Sequence, residues 1–157
     1  MAVEIERKFL VRDERWRAGA DAGAAYRQGY LCEPGRASVR VRIAGESANL
    51  NIKSAQLGVR RSEFEYPIPV DEAQALLALC EGALIEKRRY HVRHGAHLWE
   101  IDVFEGDNAG LVVAEIELQH EDEPFEHPPW LGEEVSHDAR YYNVCLVTHP
   151  YKDWSAG

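Results

Sequence analysis

Residues 4–9 read Glu-Ile-Glu-Arg-Lys-Phe and alternate charged with apolar side chains. Because residues i and i+2 of a β-strand point to the same face, a strand here would place Glu4, Glu6 and Lys8 together. The same spacing recurs along the chain in the pairs Arg40 and Arg42, Asn51 and Lys53, Glu63 and Glu65, Lys87 and Arg89, Glu100 and Asp102, and Glu115 and Glu117. The pattern predicts many strands, each with one polar, mostly ionic face and one apolar face.

Working outward from these pairs, we predict eight strands separated by turn residues. They cover residues 3–11, 25–32, 37–44, 48–54, 61–69, 84–93, 97–105 and 111–120. Since helices do not alternate with the strands, the sheet should be mainly antiparallel. Eight consecutive strands are typical of a barrel or a sandwich.

Few helices are predicted. One covers residues 71–81, with Asp71 as N-cap and a stop before Gly82. A second covers residues 137–147 and is capped by Ser136. A short helical turn is expected at residues 13–18, and a proline-bearing surface loop at residues 121–132.

Composition narrows the class of protein. The 157 residues suit one domain, residues 1–157, and 45% apolar residues suffice for a core. No apolar run approaches the roughly 18 residues of a membrane span, and the first nine residues lack the apolar region of a secretory signal. A cytoplasmic protein without a membrane partner is therefore expected, with Cys32, Cys80 and Cys145 as reduced thiols. The net charge of −9 argues against a nucleic-acid partner.

The paired charges carry the functional argument. On a single strand, a charged face is explained by exposure to water. Repetition of like-charged pairs is unfavourable by itself, so opposite charges or ligands must compensate it. Paired carboxylates suit Mg²⁺ or Mn²⁺, and Lys and Arg clusters bind phosphate oxygens. A closed barrel would collect both kinds of side chain in one lumen, suited to a polyphosphate–metal complex, with helices covering the apolar exterior.

The segment Glu4-Ile5-Glu6-Arg7-Lys8-Phe9 also matches the E-x-E-x-K motif of the CYTH superfamily, the triphosphate tunnel metalloenzymes. Further segments resemble that family in order along nearly the whole chain: Arg27-Gln28-Gly29-Tyr30-Leu31, Val39-Arg40-Val41-Arg42, Ile52-Lys53, Glu63-Phe64-Glu65-Tyr66, Glu86-Lys87-Arg88-Arg89-Tyr90, Glu100-Ile101-Asp102-Val103-Phe104 and Ala114-Glu115-Ile116-Glu117-Leu118. The resemblance implies a mainly β (α+β) fold, a closed eight-stranded antiparallel tunnel with helices packed outside.

The resemblance also implies roles for individual residues. Triphosphate would be bound by Lys8, Arg40, Arg42, Lys53, Lys87 and Arg89. The first candidates as ligands of Mg²⁺ or Mn²⁺ are Glu4, Glu6, Glu115 and Glu117, followed by Glu63, Glu65 and Asp102. Tyr30 and Lys8 match a proposed catalytic pair. In related chains a base on the C-terminal helix closes the tunnel mouth, and here Arg140 is the base in that stretch.

The expected activity is metal-dependent hydrolysis of inorganic triphosphate, by a monomer or a homodimer. Alternatives within the superfamily are adenylate cyclase, whose His-Phe pair upstream of the motif is absent here, and thiamine triphosphatase. A non-catalytic polyphosphate- or nucleotide-binding module is an alternative of another class. A structural barrel whose inward charges form salt bridges is a further one, although buried charge networks rarely repay their desolvation.

Overall fold

The computed structural model describes residues 3–32, 35–55 and 58–154. This part of the chain forms nine strands: β1 Val3–Val11, β2 Ala24–Tyr30, β3 Ala37–Ala44, β4 Ser47–Ser54, β5 Arg60–Ile68, β6 Glu81–His94, β7 His97–Phe104, β8 Val112–Glu117 and β9 Leu131–Glu134. Its α-helices are α1 Val70–Leu77 and α2 Asn143–Leu146. Its 3-10 helices are Arg15–Gly19, Gly106–Asn108, Ala139–Tyr141 and Tyr151–Asp153.

Eight of the strands close into an antiparallel barrel. Hydrogen-bonded neighbours follow the order β5-β4-β3-β2-β6-β7-β8-β1, and β1 pairs again with β5. Strand β1 makes both contacts of this seam, because its first residues, 3–5, pair with β5 and residues 6–10 pair with β8. The predicted closed eight-stranded barrel is confirmed, and each predicted strand overlaps an observed one.

Strand β9 was not predicted, since residues 121–132 were assigned to a loop. It pairs with Phe9 and Val11 on the edge of β1 opposite β8, beyond the short stretch of residues 3–5 that pairs with β5. Its sequence, Leu-Gly-Glu-Glu, has no alternation that predicts a strand. A β-carbon at Gly132 would lie 2.9 Å from the Leu10 carbonyl oxygen, so glycine permits the close approach of the two backbones.

Helix α1 is shorter than predicted and starts one residue earlier. Its N-cap is Pro69, not Asp71, and Asp71 lies in the first turn, where an acid favours the helix dipole. The helix ends at Leu77, which packs with Ala73 against β3, whereas Leu79 beyond it is exposed. Strand β6 begins soon afterwards, at Glu81.

The predicted helix 137–147 is interrupted at Tyr142, whose backbone is extended. The 3-10 helix Ala139–Tyr141 precedes this residue, and α2 follows it. Ser136 caps neither helix, because its hydroxyl accepts a hydrogen bond from the Lys8 backbone N–H at 2.9 Å. The predicted helical turn at 13–18 occurs as the 3-10 helix Arg15–Gly19.

Apolar side chains pack on the outside of the barrel and at one end of its interior. The outer cluster includes Ile5, Trp16, Trp99 and Ile116, and α1 covers a second outer patch. A third cluster contains Leu10, Ile85, Phe104 and Val113, together with Leu146 of α2. By strand alternation these four strand residues face inward, so α2 plugs one end of the barrel and does not pack outside it.

No helix in the described ranges is long and apolar enough to cross a membrane.

Candidate active site in the barrel lumen

The ionic faces of the strands line one cavity of about 340 Å³ inside the barrel. Thirteen of the fifteen predicted site residues line it: Glu4, Glu6, Lys8, Tyr30, Arg40, Arg42, Lys53, Glu63, Glu65, Lys87, Arg89, Glu115 and Glu117. Neighbouring strands contribute them at the i, i+2 spacing of the sequence. Convergence of the paired charges on one lumen is therefore observed.

Three carboxylates approach one another in this lumen. Glu6, Glu100 and Glu115 each offer an oxygen, and these atoms all lie within 4.8 Å of one another. Burial, with Glu115 and Glu4 nearby, raises the pKa of Glu6 well above its ordinary value. Carboxylates at this separation repel each other unless a cation or a proton lies between them, and hard divalent cations prefer such oxygen ligands. The group fits Mg²⁺ or Mn²⁺.

The other predicted acidic ligands are partly engaged by neighbouring strands. Glu4 accepts from Lys53, whose Nζ lies 3.0 Å from Glu4 Oε2 and 3.6 Å from Glu63 Oε2. Asn51 donates to Glu63 and Glu65 at 3.1 and 3.3 Å. These contacts hold part of the acidic set in place beside the three-carboxylate group.

Asp102 lies behind the cavity wall. Its Oδ2 is 2.7 Å from Lys87 Nζ, and Arg89 donates to Oδ1 through Nε at 2.7 Å and to Oδ2 through Nη2 at 2.8 Å. Although burial opposes ionisation, these cations keep the pKa of Asp102 well below its ordinary value. Since both oxygens are occupied, the geometry favours Asp102 as the anchor of two bases rather than as a metal ligand.

Three arginines on the cavity wall have no carboxylate partner among the described residues: Arg40, Arg42 and Arg61. Tyr26 separates two cations, with the Arg42 and Arg89 guanidinium carbons 4.9 and 5.0 Å from its ring centroid. Burial, with Arg40 and Arg89 nearby, lowers the pKa of Arg42 to about 10. Arg40 and Arg42 lie on β3, four strands from β8, whereas Arg61 lies on β5 beside β1. The lumen therefore carries positive charge on two sides that an anion would neutralise.

Arg140 does not line the lumen, and its predicted role in substrate binding stays a prediction. Its side chain is 54% exposed, pairs with Asp138 at 2.8 Å and lies over the Trp154 ring. The interruption at Tyr142 changes the facing of the segment, and Asn143 lies in the cavity wall instead.

Comparison with known proteins agrees with this geometry. The model of the CYTH domain family matches residues 2–146. The chain belongs to the CYTH domain family. It is 45% identical over 155 residues to a protein of Acetivibrio thermocellus named inorganic triphosphatase, covering 98% of this chain and 99% of the relative. A protein of Nitrosomonas europaea with the same name is 39% identical over 148 residues, covering 92% and 96% of the two chains.

A solved structure of an inorganic triphosphatase resembles this CYTH domain with a TM-score of 0.65 and 37% identity, covering 94% of this chain and 95% of the other. A protein of Pyrococcus horikoshii OT3 shares the fold at a TM-score of 0.59 and 18% identity, over 76% and 81% of the two chains. The barrel described above is therefore the fold of the family.

Tyr30 and Lys8 line opposite walls of this CYTH domain, because β1 and β2 are four strands apart in the ring of eight. Lys8 Nζ lies 3.4 Å from Glu115 and 5.4 Å from the Tyr142 ring centroid. Within the described ranges, the Tyr30 hydroxyl has no hydrogen bond to Lys8 or to any other residue. The catalytic pair stays a prediction, and a substrate would have to lie between the two side chains.

Several lumen residues of this CYTH domain were not among the predicted site residues. Arg61 and Glu100 follow from the same alternation, two residues before Glu63 and two before Asp102. Tyr26 and Gln28 likewise lie four and two residues before Tyr30 on β2. Asn143 carries no such signal, because its place in the site depends on the interruption of the C-terminal helix.

Proposed function

We propose that this CYTH domain hydrolyses inorganic triphosphate and that the reaction depends on Mg²⁺ or Mn²⁺. The observation that carries the proposal is the lumen itself. There Arg40, Arg42 and Arg61, which have no carboxylate partner in the described ranges, share one cavity with a group of three carboxylates. An anion that also chelates a divalent cation satisfies both sets of charges. The two relatives named inorganic triphosphatase support the choice of substrate.

The lumen residues have separate roles in this reaction. The arginines and Lys8 bind phosphate oxygens and offset the charge that develops as the phosphoanhydride bond breaks. A divalent cation bound by Glu6, Glu100 and Glu115 would neutralise phosphate oxygens and favour attack by water. Water adds to one phosphoryl group, the bridging oxygen leaves with the pyrophosphate product, and a proton is released. Glu115 connects the two sets, since it belongs to the carboxylate group and lies 3.4 Å from Lys8.

The open end of the barrel is acidic. Glu65 is exposed, and Glu63, Glu100 and Glu117 are part-buried or exposed, whereas Lys87 and Asn51 lie deep in the wall. These acids repel a free polyanion. We infer that triphosphate enters as its complex with the divalent cation, which lowers the charge of the substrate.

The test is a phosphate-release assay with triphosphate, thiamine triphosphate, ATP and pyrophosphate, each with Mg²⁺ and with Mn²⁺. We expect the highest turnover with triphosphate, none in EDTA, and loss of turnover in Glu115→Gln. Cyclic AMP from ATP would indicate a cyclase, preference for thiamine triphosphate would indicate that phosphatase, and binding without cleavage would indicate a binding module. Each of these outcomes would contradict the proposal.

We further propose that the chain acts in the cytoplasm as a monomer or a homodimer, without nucleic-acid or membrane partners. The net charge of −9 supports the absence of a nucleic-acid partner.

A further inference from the structure

Asn143 occupies the inner end of the lumen. It is the first residue of α2, and it lines the cavity with its neighbours Tyr142 and Val144. Leu146, one turn further, is buried in the apolar cluster that fills the barrel end. Helix α2 therefore closes this end, and Asn143 presents its side chain toward the phosphate-binding wall.

The hydrogen bonds of Asn143 fix the orientation of its amide. Its Oδ1 accepts from Lys87 Nζ at 2.9 Å and from Gln28 Nε2 at 3.1 Å. The Gln28 amide is fixed in turn, because its Oε1 accepts from Arg42 Nε at 2.8 Å. Lys and Arg side chains only donate, so reversing either amide would set donors against donors. Both Asn143 Nδ2 hydrogens are left without a partner among the described residues.

We propose that Asn143 is a substrate-contacting residue, whose Nδ2–H donates to an oxygen of the terminal phosphoryl group at the closed end of the lumen. The inference rests on the proposed function and deepens it, because it assigns one end of the triphosphate to one end of the barrel. A chain that enters from the open mouth stops at Asn143. The bond that is cleaved is then set by its distance from this residue.

A neutral amide suits this position for an electrostatic reason. Lys87 and Arg42 already lie close together, and an acidic side chain here would pair with Lys87 and repel phosphate. A basic side chain would add a further like charge beside the two. Asparagine instead satisfies Lys87 through its oxygen and adds a donor for phosphate without changing the charge of the wall.

The first test is calorimetric titration of triphosphate into the metal-free protein, comparing wild type with Asn143→Asp and Asn143→Ala. Asn143→Asp is nearly isosteric and exchanges the donor for a negative charge, so we expect binding to weaken at least tenfold. Asn143→Ala should weaken it about fivefold or more. The control is Val147→Ala, which trims an apolar contact just beyond α2, outside the lumen, and should bind like wild type.

Binding by Asn143→Asp within twofold of wild type, with an unchanged melting temperature, would overturn the inference. If wild type binds triphosphate but does not cleave it with Mg²⁺ or Mn²⁺, the proposed function fails, while the binding series still decides the role of Asn143. If wild type binds triphosphate neither without metal nor with Mn²⁺, both fail. Loss of binding in Val147→Ala equal to that in Asn143→Ala would reduce Asn143 to a structural role.

A second measurement tests directly whether the phosphate chain stops at Asn143. Tetraphosphate should enter in one register, so wild type should give one initial product pair, either triphosphate with phosphate or two pyrophosphates. In Asn143→Ala the register should relax and both pairs should appear in the early phosphorus NMR spectra. An unchanged product ratio with a lower overall rate would contradict the assignment of Asn143 as the stop.

Discussion

At the scale of single residues, cations in the lumen differ in whether a carboxylate already neutralises them. Lys53 and Arg89 have acidic partners within 3.1 Å. Arg61 has none among the described residues, and its guanidinium lies 5.0 Å from the Tyr142 ring centroid. A paired base is held in place by the protein, whereas an unpaired one has its charge free for a ligand.

Arg61→Ala should therefore weaken triphosphate binding by about 1–3 kcal/mol, the value of a lost charge-assisted contact. Arg140→Ala is the matched control, since that arginine lies outside the lumen. KM values from phosphate release measure the difference. Equal KM values for the two variants would contradict the assignment of Arg61 to the site.

Lys87 is the lumen base whose pKa falls furthest below its ordinary value. Burial, with Arg89 and Arg42 nearby and Asp102 acting in the opposite direction, lowers its pKa from 10.5 to about 7. The groups that face it are Asp102, Arg89, Arg42, Glu115 and Asn143. At a pH between these two values, a smaller fraction of the Lys87 amine is protonated in the folded, unliganded protein than in a free lysine. A phosphate anion favours its charged form, so binding takes up a proton.

We therefore expect metal-free triphosphate binding to weaken as pH rises above about 7, with net proton uptake near pH 8. Titration calorimetry in buffers of different ionisation enthalpy measures this uptake. Triphosphate can itself exchange protons when it binds. The same calorimetry on Lys87→Met measures that contribution, which is then subtracted from the wild-type value. Proton uptake that is identical in the two proteins would show that Lys87 is already charged.

The sequence predicted most of the lumen residues because strand alternation fixes the facing of each side chain without knowledge of its partners. Arg61 obeys the same rule and required only that the pair Glu63 and Glu65 be extended by two residues. Glu100 already belongs to the pair Glu100 and Asp102, of which only Asp102 was chosen as a site residue. Asn143 could not be found in this way, because its facing depends on the extended backbone of Tyr142. The position of Arg140 outside the lumen could not be found for the same reason.

At the scale of elements, one hydroxyl ties the C-terminal segment to two other positions of the chain. Tyr142 Oη donates to the Ser136 carbonyl at 2.8 Å and accepts from the Gly58 backbone N–H at 3.0 Å. These bonds join three separate stretches of chain near the closed end of the barrel. They also explain why the predicted helix 137–147 divides, since Tyr142 leaves helical geometry to make them.

Tyr142→Phe should lower the free energy of unfolding by about 1–3 kcal/mol, because the Ser136 and Gly58 groups lose a buried partner. Denaturant unfolding followed by tryptophan fluorescence measures the change. The control is Tyr66→Phe on β5, where the side chain is 52% exposed and little change is expected. Equal stability of Tyr142→Phe and wild type would show that the hydroxyl does not hold the segment.

Element boundaries were predicted best where local pattern and packing agree. The strands of the barrel alternate in sequence and are half-covered in the structure, so both criteria give the same residues. Strand β9 is specified only by the free edge of β1, which no local pattern in Leu131–Glu134 reveals. Helix α1 ends at Leu77, five residues before the Gly82 stop signal, and its last residue packs against β3.

At the scale of the whole molecule, the barrel encloses like charges that water would otherwise screen. The Glu6, Glu100 and Glu115 carboxylates lie within 4.8 Å of one another, which destabilises the metal-free fold. A divalent cation should relieve this repulsion and raise the melting temperature. Glu6→Gln should melt higher than wild type without metal and gain less from Mn²⁺.

Thermal melts with and without Mn²⁺ measure both effects, and Glu121→Gln outside the lumen serves as control. A cation-dependent rise that is the same in wild type and Glu6→Gln would place the binding of Mn²⁺ elsewhere.

The most direct test is a pair of crystal structures. One is of Glu115→Gln, a substitution that should slow turnover, grown with Mn²⁺ and triphosphate. The other is of wild type grown with Mn²⁺ alone. Anomalous scattering locates manganese without reference to any mechanism. We predict a manganese peak between Glu6, Glu100 and Glu115 in wild type. In the variant, we predict a phosphate chain that contacts Arg40, Arg42 and Arg61. Manganese bound only outside the barrel, or triphosphate only on its exterior, would contradict these predictions.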